Sequence, residues 1–99
     1  MLTDTTGIRH LAQRMRERAE EIRGEAVRVG RRADAVPWHG RAADAMRAQV
    51  SARLSVLTAT AALHEDAAEA LERHAHAVES LGVVTGAVSG AVHELGSLL

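Results

Sequence analysis

In this 99-residue chain, the side chains best suited to acid–base or metal chemistry are six histidines and thirteen acidic residues. No two histidines are four residues apart, the spacing that aligns two metal ligands on one helical face, and His74 and His76 point to different sides of a helix. His64-Glu65 resembles the start of a zinc-protease motif, but the second histidine would fall at position 68, which is Ala68. Cysteine is absent, so neither a disulfide framework nor a thiolate metal site can form, and the redox compartment is left open. No metal and no cofactor are expected.

The carboxylates Glu65, Asp66, Glu69, Glu72 and Glu79 are expected on a solvent-facing helix, with no glycine-rich phosphate loop or activated nucleophile nearby, so an enzyme is not expected. Arg14, Arg16, Arg18, Arg23, Arg28, Arg31 and Arg32 suggest nucleic acid at first sight. Glu17, Glu20, Glu21 and Glu25 interleave with them at salt-bridge spacing, however, and the net charge is only -1. A solvated, charge-laced face accounts for them, with no nucleic-acid partner. The charge is unevenly divided: Met1–Arg41 carries nine arginines against six acids, while Ala42–Leu99 carries three against seven. Opposite signs favour antiparallel pairing of the two halves.

These groups must be carried by helices. Ile8, Met15, Ile22, Val29 and Val36 recur every seven residues, and Ala12, Ala19, Ala26 and Ala33 follow the first four at a spacing of four. The pattern predicts a helix over about 6–34, with Asp4, Thr5 or Thr6 as N-cap and a stop before Pro37, which disfavours helical geometry at Val36. Beyond the break, Ala43, Val50, Leu57, His64, Leu71 and Val78 repeat the seven-residue spacing, and Leu54, Ala61, Ala68 and Ala75 complete the stripe, predicting a helix over about 41–80. Val56, Leu63, Ala70 and Ala77 form a further row beside it that one partner helix cannot cover.

The expected fold is all-α: an antiparallel helix-turn-helix hairpin over 1–80 that dimerises into a four-helix bundle. With one tryptophan, no phenylalanine or tyrosine, and twenty alanines, packing must come from aliphatics and from helices that approach closely. The hairpin and dimer packing residues are taken as Ile8, Met15, Ile22, Val29, Val50, Leu54, Leu57, Leu63, Leu71 and Val78. His64 lies on the seam, where a hydrogen-bonding or packing role is the ordinary one. Residues 81–99 read as a separate tail, a short helix or disordered, because Gly82, Gly86, Gly90 and Gly96 interrupt an apolar run. A bilayer span is not expected, since Leu81–Val92 is much shorter than the roughly 20 residues required.

The segment Val36-Pro37-Trp38-His39-Gly40-Arg41-Ala42-Ala43-Asp44-Ala45-Met46 joins the helices. It resembles the Trp-x-Gly turn of the small WXG family of type VII (ESX) secretion proteins, with Trp38 and Gly40 as the matching residues and the Ala-Ala and Ala-Met pairs at apolar positions. The likeness covers about Ile8–Val78. It implies a non-enzymatic protein that acts by helix-face pairing with a partner hairpin, being co-exported with it or helping its export. The implied partner is another WXG-type protein, the N-terminal hairpin of a larger exported toxin, or a second copy, together with the type VII machinery.

Location would then be cytoplasmic before export and secreted or at the cell surface after it. In the family, a Tyr-x-x-x-Asp/Glu signal on a partner is presented near the turn, and this chain has no tyrosine, so the partner is expected to carry it. Met1–Gly7 is polar and lacks the features of a general secretory signal, so any export is expected to use another route. Physically, Gly40 permits a backbone conformation closed to other residues, and Trp38 either lies across the helix ends or plugs the end of the hairpin. The competing reading is a self-associating cytosolic structural or adaptor bundle that shares only the hairpin shape. A glycine-rich tail that disturbs membranes is a third.

Overall fold

The computed structural model describes residues 4–98. The ends of the expected spans at residues 1–3 and 99 lie outside them. Two helices, α1 (Thr6–Ala35) and α2 (Arg41–Leu98), form an antiparallel hairpin, and no strand occurs among the described residues.

The start of α1 is fixed by Asp4, whose Oδ1 accepts the Thr6 N–H at 3.0 Å. Thr5, the N-cap residue, uses its hydroxyl differently and donates it to Glu79 of α2. At the other end Val36 takes up extended geometry (φ -65°, ψ 121°), as the residue before a proline should, and its N–H reaches back to Ala33 O at 3.4 Å. Gly40 has φ +100°, a conformation costly to any residue with a Cβ. It reverses the chain, and its carbonyl receives the Asp44 N–H at 3.0 Å, opening α2.

α2 corrects the expected boundary near Ser80: it runs unbroken through Gly82, Gly86, Gly90 and Gly96 to Leu98, 58 residues in all. Glycine lowers helix propensity but does not by itself end a helix, and this stretch has neither a proline nor a glycine at positive φ; Gly40 is the one described glycine at positive φ. At 1.5 Å per residue, α2 alone accounts for the molecule's 89 Å long dimension. α1 is barely half as long and begins opposite Glu79. From about Val84 onward α2 therefore projects alone for about 22 Å.

Alanines line the contact between the helices. Ala12, Ala19, Ala61, Ala68 and Ala75 have no exposed surface, Ala43 is 1% exposed, and Ala33 is also buried. Beside them, Ile8, Met15, Ile22 and Val29 on α1 and Val50, Leu54, Leu57, Leu71 and Val78 on α2 are half-buried. Near the turn, Gly30 allows a closer approach still: a Cβ there would lie 3.3 Å from Leu54 Cδ1. No large side chain is fully buried among the described residues. The hairpin thus has a seam, not an enclosed core.

Candidate interaction surface

Three ion pairs clamp the hairpin. Arg9 bonds Glu79 through Nη2 at 2.8 Å, Arg16 Nη1 lies 2.6 Å from Glu72 Oε1, and Arg23 bonds Glu65. Each seven-residue step along α1 is matched by a seven-residue step back along α2, so the ladder and the alanine seam share one antiparallel register. That register sets Ala12 level with Ala75 and Ala19 level with Ala68. The arginine contacts hold Glu72 and Glu65 below the usual carboxylate range; for Glu79 the Thr5 hydroxyl is the larger cause and Arg9 the second.

The sequence reading placed these carboxylates on a solvent face and paired the arginines within their own helix. Within α1 only the pairs Arg18–Glu21, Arg23–Glu20 and Arg28–Glu25 follow that pattern. The signal for the ladder was present as Arg9, Arg16 and Arg23 in phase with Ile8, Met15 and Ile22, opposite a heptad of glutamates.

The turn holds a residue that sequence reasoning passed over. The Arg47 guanidinium, nearly two turns inside α2, donates to Val36 O at 2.8 Å and Trp38 O at 3.0 Å, tying both sides of the Pro37 break to the start of α2. Trp38 itself is 60% exposed, which corrects the picture of a plug closing the hairpin end. Gly40 sits beside it at the chain reversal.

The outer face of α2 is the broadest apolar surface. Leu63, assigned above to packing, is 67% exposed, and Val56 is 65% exposed. Because the helix does not stop at Ser80, their row continues with strict alternating spacings of four and three: Val56, Thr60, Leu63, Ala67, Ala70, His74, Ala77, Leu81, Val84, Val88, Ala91, Leu95 and Leu98. None of these carries a formal charge and all but the half-buried Thr60 are exposed. This second seam lies about 100° around α2 from the one that faces α1.

Other chemistry is sparse. His64 Nδ1 lies 2.8 Å from Thr60 O, so the half-buried imidazole is held by its own helix. Among the described residues no three His, Asp or Glu side chains are grouped as metal ligands. An open groove beside the ladder is lined by Arg9, Glu69, Glu72, Arg73, His76 and Ala77. It brings paired charges together, but no nucleophile beside a base. The continuity of α2 also revises the length argument against a membrane span, since an 18-residue window now reaches mean hydropathy 1.2 with 6% of it buried. By length and composition alone, that helix is sufficient to cross a bilayer. No family model, curated protein or solved structure matches the chain.

Proposed function

We propose that the chain is a non-enzymatic WXG-type component of type VII secretion, acting by pairing a helix face with a second hairpin and being exported with it or assisting its export. The observation that carries the reading is the second seam of α2, uncharged from Val56 to Leu98 on a hairpin that fully buries no large side chain among its described residues. A surface of this kind gains free energy when another helical face covers it, at roughly 25 cal/mol per Å² of apolar area. The exposed Trp38 beside Gly40 supports the second part of the reading, because it leaves an aromatic face available at the turn where the family resemblance lies.

The protein is cytoplasmic until export and reaches the medium or the cell surface as part of an assembly in which another protein supplies the tyrosine signal this chain lacks. The test is co-expression with a candidate WXG partner in a host with and without a working type VII system. Joint appearance in the medium only when the system is present, and its loss in Trp38→Ala, is the expected result. A chain that stays inside the cell, self-associated and indifferent to the partner, would instead establish the adaptor bundle.

A further inference from the structure

We propose that the face covering the second seam is the same face of a second copy, paired antiparallel about a two-fold axis level with His74–Ala77. This deepens the pairing reading and rests on it.

The seam is complementary to itself. Its middle carries Ala67, Ala70, His74 and Ala77, whereas the stretch from the start of α1 outward carries Leu81, Val84, Val88 and Leu95. Turned about that axis, Leu81 meets Ala70 of the second copy, Val84 meets Ala67, Val88 meets Leu63, and Leu95 meets Val56. Leu81 and Val84 then enter the spaces over alanines while Val88 and Leu95 pack on exposed Leu63 and Val56, and every residue named on the larger side is at least 57% exposed in the single chain. The unsupported end of each α2 is laid along the outer face of the other hairpin, which removes the free projection from both copies at once.

Charge agrees with this pairing. The residues flanking the contact put Asp66 opposite Ala87 of the second copy, Arg73 opposite Ser80 and Glu94 opposite Ala59, so no two like charges face each other. The antiparallel arrangement also opposes the two helix dipoles. The extent is adequate: Val56 to Leu95 spans about 60 Å, and a strip about 10 Å wide on each helix buries on the order of 1,200 Å² in total, within the range of specific interfaces. A heterologous hairpin gains nothing from the match between the two halves of this seam, whereas a second copy uses both.

The absence of cysteine makes the register directly testable. Ala70→Cys with Leu81→Cys places two thiols about 16 Å apart along one helix, too far to close within a chain, but adjacent between copies. The expected results are a solution mass about twice the 10.5 kDa of the chain, a covalent dimer on oxidation of the double variant but not of Leu81→Cys alone, and a monomeric but fully helical Val84→Asp. A dimer that never cross-links through 70 and 81 overturns this register and leaves hairpin pairing standing, as does a monomer that forms a 1:1 complex only with a different hairpin. A monomer that pairs with no hairpin, or that floats with lipid vesicles, overturns both.

Discussion

The Arg16 guanidinium bonds Glu72 across the hairpin at 2.6 Å, midway between the equivalent pairs Arg9–Glu79 and Arg23–Glu65. One pair on a wet surface says little about a fold. Three at heptad spacing, in phase with alanines of no exposed area, set how far one helix slides along the other.

Reversing one member of the middle rung, as Glu72→Arg or Arg16→Glu, is therefore expected to lower the thermal midpoint by placing like charges together. The double reversal is expected to restore most of the loss. Thermal melts followed by far-UV circular dichroism across this double-mutant cycle give the coupling; two independent, additive losses would refute the pairing.

Acid should weaken the same ladder. Glu65, Glu72 and Glu79 have lowered carboxyl pKa values in the folded chain, so their contribution is fully present above the ordinary value of 4.5 and is lost as the pH falls through the folded values. Denaturation midpoints are expected to be flat from about pH 7 to about pH 5 and then to fall toward about pH 3. The Glu65→Gln, Glu72→Gln, Glu79→Gln triple variant should fall less steeply.

The alanine seam predicts intolerance to size. Ala19→Leu inserts methylenes where the helices are in closest contact, and is expected to cost about 1–3 kcal/mol by urea denaturation. Ala62→Leu, at an exposed position of α2 clear of both seams, should leave stability within about 0.5 kcal/mol of the parent. Equal effects at the two sites would mean that Ala19 is not at the helix contact.

At the turn, Gly40→Ala is expected to cost at least about 1 kcal/mol because φ +100° is strained for any residue with a Cβ. Arg47→Met should cost about 1 kcal/mol by releasing the Val36 and Trp38 carbonyls. Urea denaturation reads both.

Trp38 is the chain's single tryptophan, so its emission reports on the turn alone. At 60% exposure it should emit close to the maximum of a solvated indole, and Trp38→Ala should change stability by less than about 0.5 kcal/mol. Strongly blue-shifted emission in the isolated hairpin would restore the plug.

Much of this architecture was legible in the residues themselves. The heptads of Ile8–Val29 and Val50–Val78, the stop at Pro37 and the reversal at Gly40 are local: each follows from helix periodicity or from φ limits that act within a few residues. The extra row at Val56 and Leu63 was visible for the same reason, and with it the need for a covering surface. Tertiary structure decided the rest. Nothing local chooses between Glu20 and Glu72 as the partner of Arg16; the antiparallel register does, because it brings a distant glutamate into reach at every second turn. Nothing local leaves Trp38 exposed either, or brings Arg47 back to the carbonyls of Val36 and Trp38. The helix beyond Ser80 is not legible locally, because glycines weaken a helix without ending it. Only the continuous α2 turns two short rows into one seam, since side chains seven residues apart share a face only while the helix between them is unbroken.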